Sequence, residues 1–521
     1  MTRAAVSVVT VAAEDNPLEL DVALREGLAR HAPWGLPRVE RLARIAAAEQ
    51  TAEHAARAER NAPRLHSLDR DGGRIDHIEC DPSWSWLLDT AVEHEMPSLP
   101  WRERRAGAFV VRNALGYVWG QVNTGVLCPV IMTLAAVPVL ERFAPELAAL
   151  WVPRLTDPRP GRNALAGQAY TEKQGGSDLR ATLTTAVDRG DGAWELHGHK
   201  WFVSAPMADI FLTLAQTSDG LSCFLVERGP GVRPIRLKDK LGTRSLPTAE
   251  VEFRGARAWL VGTPGQGMAP LVHNLGYARL GPAVAPEMRA AVATAIDYCR
   301  RRRAFGQRLV DQPAMANVLA DLAIESEAAT AGMLRLAAMY DDFGSPLRRL
   351  ATSIIKYWGC GRVTGHIAEA MQCLGGNGYS ESFGLARLLR DASVHAIWEG
   401  SGNVTALDVL RGIGKNPETL DAFLGECAAA RGGNRLLDDH LERTATRAAA
   451  VLHGATPAAE ARRLVEDLAL AFYASLLVRY SIPAVADAFC AGRLGPDRGL
   501  AYGTLPSGTD TAAIIERALP Q

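Results

Sequence analysis

No CxxC pair and no regular spacing relates the eight cysteines, Cys80, Cys128, Cys223, Cys299, Cys360, Cys373, Cys427 and Cys490. Neither a zinc site nor a disulfide framework is indicated, and a reducing cytoplasm is the expected setting. An excess of one charge is missing too: 57 Lys and Arg stand against 58 Asp and Glu, for a net charge of −1. That balance gives no global attraction to nucleic acid or to an acidic membrane. The sequence lacks a Gly-x-x-x-x-Gly-Lys-Ser/Thr loop, a GxGxxG opening a helix, a GxSxG elbow and an HExxH pair. These absences exclude the common nucleotide folds and leave covalent or metal-assisted hydrolysis without a candidate. No run is read as approaching the length of a transmembrane helix. Arg3 followed by Ala4 to Ala13 imitates a signal peptide, but Ser7 and Thr10 interrupt its apolar stretch. Internal repeats and long low-complexity tracts are also lacking.

What remains is a chain of 521 residues, 48% hydrophobic, long enough for several packed domains. Helical spacing of Ala, Leu, Arg and Glu marks residues 39–60 and 106–143. Thr156 to Gly161, rich in proline, breaks that pattern. Short β-branched and aromatic stretches follow at 194–197, 201–204, 210–215, 222–226 and 248–253, with Asp191-Gly192 and Asp219-Gly220 as turn pairs. Helical periodicity returns after Gly267, with long helices predicted over 285–303, 314–341 and 348–374, the last ended by Gly375-Gly376-Asn377-Gly378. Beyond Asn416 lies a further helical tail. The order is helix, sheet, helix, an α+β chain that is mostly helical.

Five segments are candidates for chemistry. In Ala396-Ile397-Trp398-Glu399-Gly400-Ser401-Gly402-Asn403 one carboxylate stands between an apolar run and small residues. Apolar neighbours desolvate such a group towards basicity, and glycines admit close backbone approach; the alternative is a Glu capping a helix that starts near Val404. Thr171 to Asp178, TEKQGGSD, offers hydroxyls and glycine-exposed amides to a pyrophosphate or a flavin edge, or is a plain polar turn. Lys200 to Ser204 can stack on a planar ring or pack in a core. Arg300 to Arg303 with Phe305 puts cations at a helix end, and Gln372 precedes the glycine turn. His197 and His199, two apart on a predicted strand, lack a third ligand and are read as structural, so no metal site is expected.

In order along the chain, TEKQGGSD, GHKWFVS, RRRAFGQ, MQCLGGNGY and IWEGSGN resemble the acyl-CoA dehydrogenase superfamily of flavoenzymes over about residues 80 to 411. The Cys128-Pro129 segment, Leu221 to Phe224, Leu237 to Gly242 and the tail after Arg411 are similar to its AidB-type branch, linked to the bacterial adaptive response. The resemblance implies an N-terminal helical domain (1–165), a middle β-barrel-like domain (166–265), a C-terminal four-helix bundle (266–415) and an extra helical domain (416–521).

It also implies bound FAD. Gln168, Tyr170, Thr171, Gly176 and Ser177 match positions around the ring and pyrophosphate, and Phe202 (replacing the family's usual Trp) and Ser204 match the ring-packing strand. Arg302, Phe305, Gln372 and Gly376 match positions that reach the FAD of a neighbouring subunit, which implies a homo-oligomer, a dimer or tetramer. Ser401 and Asn403 match further flavin contacts. Glu399 matches the catalytic base, which would remove a proton while hydride passes to flavin N5. Where CoA-using members often carry Asp, three residues before Arg279, this chain has Gly276. The expected substrate is therefore a small acyl-, amine- or hydrazine-type molecule. A flavin-dependent monooxygenase and a DNA-associated protective flavoprotein are the alternatives on the same scaffold. The tail beyond Asn416 argues against DNA: its ten Arg against thirteen Asp and Glu leave −3.

Overall fold

The computed structural model describes residues 17–280, 284–342, 344–454 and 457–521. The signal-like stretch at residues 4–13 lies outside the described residues. The chain divides into two compact units, one built from Glu53–Arg104 and Asn123–Gly281 and the other from the remaining segments.

The first of these holds a seven-stranded sheet. In spatial order its strands are Ala166–Ala169, Ile210–Thr217, Thr185–Asp188, Trp194–Ser204, Thr248–Val261 and Gly220–Glu227, with Val232–Leu237 added on Thr248–Val261. Gly220–Glu227 also pairs antiparallel with Ile210–Thr217, which closes the sheet on itself, as the expected barrel-like middle domain requires. Phe211, Phe224, Phe253, Leu196, Val226 and Val251 fill its interior.

In the same unit Thr124–Phe143 is long and apolar enough to cross a membrane, where the sequence reading expected no such run. Packing explains the composition: 94% of its most apolar window is buried, so every face meets protein. The Asn123 side chain starts it by accepting from Val126 N–H at 3.0 Å. A hairpin, Arg64–Leu68 with Arg74–Glu79, lies between the two stretches read as helical, in the part of the chain expected to be a helical domain.

The other unit is all helical apart from the two-residue strands Arg303–Ala304 and Gln307–Arg308 among its described residues. Ala285–Arg301, Pro313–Asp341, Leu347–Cys373 and Gly402–Lys415 pack as a bundle. Ala461–Tyr480, from the C-terminal tail, lies against Pro313–Asp341, Leu347–Cys373 and Gly402–Lys415. That contact is close: a Cβ on Gly332 would stand 2.4 Å from the Tyr473 ring. Ion pairs also join the tail to the bundle: Arg493 of helix Pro483–Leu494 reaches Glu325, which Arg362 holds as well, and Glu426 of helix Glu418–Ala428 pairs with Arg335 and with Arg479 of the tail helix.

Candidate functional site

The candidate residues fall into two sets, one on each unit. In the unit that carries the sheet, Gln168 is the last residue but one of the short strand Ala166–Ala169, after which the chain runs into the TEKQGGSD loop. Its Nε2 donates to Asn274 Oδ1 at 2.6 Å, and Tyr170 Oη donates to the same oxygen at 3.2 Å. Asn274 is fully buried and fixed in turn by donating to the Ala135 carbonyl at 3.1 Å. Sequence reasoning missed Asn274, because nothing local relates it to residues more than a hundred positions earlier.

The loop itself is a tight turn. Glu172 and Gly175 exchange backbone hydrogen bonds of 3.2 and 3.1 Å around Lys173 and Gln174. Glu172 points its carboxylate inward to Lys200, Thr184 and the Leu183 N–H. The Thr171 carbonyl accepts from Trp201 N–H at 2.8 Å, which ties the loop to strand Trp194–Ser204.

Gly176 leaves room for the Thr171 side chain, since a Cβ there would stand 2.7 Å from Thr171 Oγ1 and force it to shift. The donors that remain, Thr171 Oγ, Ser177 Oγ and small-residue amides, are those a diphosphate accepts from. Further along the strand, Phe202 is 52% exposed in spite of its size, and Ser204 Oγ meets Thr248 Oγ1 at 3.2 Å. An exposed ring beside hydroxyls suits a planar polar cofactor. The unit's donor set therefore fits FAD.

In the helical unit, Glu399 is not the helix cap. Helix Gly402–Lys415 has Ser401 as its N-cap residue, and Glu399 lies before it, partly buried, with φ of +54°. Gly400 follows at +106°. A positive φ is costly for a residue with a Cβ. His395, four residues earlier, is fully buried with Nε2 3.0 Å from Glu287 Oε2. From helix Leu347–Cys373, Lys356 Nζ donates to the His395 carbonyl at 2.6 Å and the Gly400 carbonyl at 3.2 Å. Asn403 Oδ1 accepts from Arg462 Nε at 2.8 Å, and a Cβ on Gly402 would stand 2.7 Å from the same guanidinium.

The other candidates of this unit sit at one end of the bundle. Asn377 Nδ2 donates to Tyr298 Oη at 3.0 Å, which joins the glycine turn to the helix that ends before Arg302. Arg302, Gln372 and Gly376 are exposed there, and Phe305 is 95% exposed with φ of +52°. Among the described residues no cluster of His, Cys, Asp and Glu is suited to a metal ion.

Comparison with known proteins gives three matches in sequence order. Residues 8–159 match the adaptive response protein AidB N-terminal domain, 167–256 the acyl-CoA dehydrogenase middle domain and 265–414 the acyl-CoA dehydrogenase C-terminal domain. The putative acyl-CoA dehydrogenase AidB of Escherichia coli K12 is 38% identical over 453 residues, covering 82% of this chain and 83% of that one. Acyl-CoA dehydrogenase family member 11 of Caenorhabditis elegans is 35% identical over 427 residues, covering 75% and 69%. The crystal structure of C. elegans ACDH-11 in complex with C11-CoA superposes with a TM-score of 0.85 at 28% identity, covering 96% of this chain and 94% of that one.

Proposed function

This chain belongs to the acyl-CoA dehydrogenase family, in its AidB-like branch, and on that basis we propose that Glu399 is the base that removes a proton from an acyl substrate. The protein is an FAD-dependent dehydrogenase acting on a small molecule. FAD, when bound, supplies the acceptor for the hydride lost from the carbon β to the carbonyl. In the sheet-bearing unit Gln168, Tyr170, Thr171, Gly176 and Ser177 would hold it from the loop, and Phe202 and Ser204 from the strand; Ser401 and Asn403 are the candidate flavin contacts of the helical unit. Arg302, Phe305, Gln372 and Gly376, exposed at one end of the bundle, serve the FAD of a second copy in a dimer or tetramer.

The observation that carries the reading is the backbone of Glu399. A carboxylate residue is kept at φ +54°, at a cost on the order of 1–3 kcal/mol. Conformations of that kind persist where the surrounding structure enforces them, and they cluster at reactive positions. Glu399 takes the proton on the carbon α to the carbonyl, and the electron pair left behind forms the new α,β double bond as the β hydrogen departs.

For the substrate we take the acyl class, because the C. elegans relative was solved with C11-CoA. Gly276, in place of an Asp, makes amines and hydrazines the comparison set. The test is an anaerobic titration of the purified flavoprotein with a saturated C11 acyl-CoA, followed by amines and hydrazines. Bleaching of the visible flavin absorbance by the acyl-CoA, lost in Glu399→Gln with FAD retained, is the expected result. Bleaching that survives the substitution removes Glu399 from the role.

A further inference from the structure

We infer that Lys356 is a positioning residue for Glu399, its buried ammonium gripping the two carbonyl groups that bracket the base. The inference rests on the reading of Glu399 as the base.

Lys356 stands on helix Leu347–Cys373 with its side chain almost wholly buried. A buried lysine is ordinarily paired with a carboxylate, since an uncompensated ammonium is expensive to desolvate. Here its hydrogen-bond partners are main-chain oxygens, those of His395 at 2.6 Å and Gly400 at 3.2 Å. The two carbonyls lie on either side of residues 396–399. Ile397 and Trp398 N–H both donate to the Val394 carbonyl, at 2.9 and 3.1 Å, and so organise the first half of this segment. The second half contains the two positive torsions, +54° at Glu399 and +106° at Gly400.

The direction of the Gly400 carbonyl is set by the torsions of residues 399 and 400. Fixing that oxygen against a side chain of a rigid helix therefore fixes the unusual backbone of Glu399. Placing His395 O on the same ammonium closes the segment into a loop with one common anchor. A charged donor is suited to this task because its bonds to carbonyl oxygens are stronger than those of a neutral group. The His395 ring, buried beside Glu287 and 5.4 Å from the Trp398 ring, attaches the segment independently. Loss of the ammonium loosens the torsions of Glu399 without detaching the segment.

The test compares wild type, Lys356→Met, Glu399→Gln and the double variant as FAD-loaded protein. Two quantities are read: the limiting rate of anaerobic flavin reduction by a saturated C11 acyl-CoA, and amide hydrogen exchange across residues 393–403. The expected result for Lys356→Met is retained FAD, an unchanged half-saturating acyl-CoA concentration, faster exchange confined to that segment and a limiting rate lower by about 10²-fold, the penalty of a misplaced reacting group. In the Glu399→Gln background the second substitution costs nothing more, because both act through one carboxylate. A general structural defect would instead weaken substrate binding and add to the Glu399→Gln loss. Should Lys356→Met shed FAD, Lys356→Gln, which keeps a donor for one carbonyl, decides with an intermediate rate expected. If Glu399→Gln abolishes reduction but the Lys356 variants reduce at the wild-type rate, or exchange is unchanged, the inference is overturned while the reading of Glu399 stands. If Glu399→Gln reduces as fast as wild type, or wild type is not reduced, that reading falls and takes the inference with it.

Discussion

Lys200 and Glu172 form an ion pair inside the sheet-bearing unit, Nζ to Oε1 2.8 Å, with both side chains buried. Lys200 also donates to the Leu214 carbonyl at 2.9 Å, so one strand residue joins the loop to strand Ile210–Thr217. Burial opposes charge on both partners. It pushes Lys200 down to about 8 against the pull of Glu172. For the carboxylate, Lys200 and the Thr184 and Leu183 donors outweigh burial and hold it at about 2. The backbone donors of TEKQGGSD are presented from a loop whose second residue is thus locked beneath it.

Glu172→Gln is expected to strand the Lys200 ammonium in the sheet. Removing one partner of a buried pair costs on the order of 3–5 kcal/mol. Urea unfolding at neutral pH should show that loss, and FAD should be released earlier in the titration than from wild type. Equal midpoints would mean that water reaches Lys200 and that the pair does not define the loop.

Glu325 makes the acid limb of stability measurable. On helix Pro313–Asp341 it accepts from Arg362 at 2.6 and 2.9 Å and from Arg493 at 3.0 Å. Burial would raise its carboxyl, but Arg493 and Arg362 hold it at about 2 against an ordinary 4.5. Its contribution is therefore fully present above 4.5 and is lost as pH falls towards 2. Glu325→Gln should lose about 3–5 kcal/mol at neutral pH, measured by urea midpoints, with the gap to wild type closing as the pH is lowered through that window. A gap independent of pH would assign the loss to packing.

The sequence made the regular elements legible and left the long-range partnerships dark. Periodicity over 285–303 and 348–374 corresponds to Ala285–Arg301 and Leu347–Cys373, because long amphipathic helices repeat their pattern many times. Trp194 to His197 and Trp201 to Ser204 are parts of a single strand. Gly198 between them admits Thr184, whose Oγ1 would be 2.4 Å from a Cβ there, so it allows close approach and does not mark a break. The Arg64–Leu68 hairpin was hidden because neither strand has a buried face, one being exposed and the other only half-buried, although Asp71-Gly72-Gly73 was a turn signal in plain view. Val232–Leu237 was masked by Pro234 and by the exposed Ile235. The candidate site divides in the same way. Motif order brought out Glu399 and the glycine loops, whereas Asn274 and Lys356 act on partners 106 and 39 or 44 residues away, and no local pattern encodes such pairings.

Gly332 tests how tightly the C-terminal tail packs on the bundle. In Gly332→Ala the new Cβ meets the buried Tyr473 ring. Overpacking of this kind costs about 1–3 kcal/mol, and the gain of up to about 1 kcal/mol in helix propensity offsets part of it. A net loss in urea midpoint is expected, and Tyr473→Leu in the same chain should relieve some of it. A Gly332→Ala protein more stable than wild type would mean that the tail helix shifts freely.

Asn274 decides whether Gln168 and Tyr170 act as a unit towards the cofactor. Its single carbonyl oxygen receives both side chains, so Asn274→Leu removes one acceptor and two positional restraints while filling a similar volume. Each hydrogen bond contributes about 0.5–1.5 kcal/mol net, so the pair amounts to roughly 1–3 kcal/mol. Read as affinity, where 1.4 kcal/mol is tenfold, FAD should bind about 5- to 140-fold more weakly. The Ala135 carbonyl also loses its donor, so a change in folding stability accompanies the effect and has to be measured separately, by urea unfolding of the FAD-free protein. Gln168→Ala leaves Asn274 in place and should reproduce part of the FAD loss without that change in stability. An FAD affinity unaltered in both variants would place the cofactor away from this strand end.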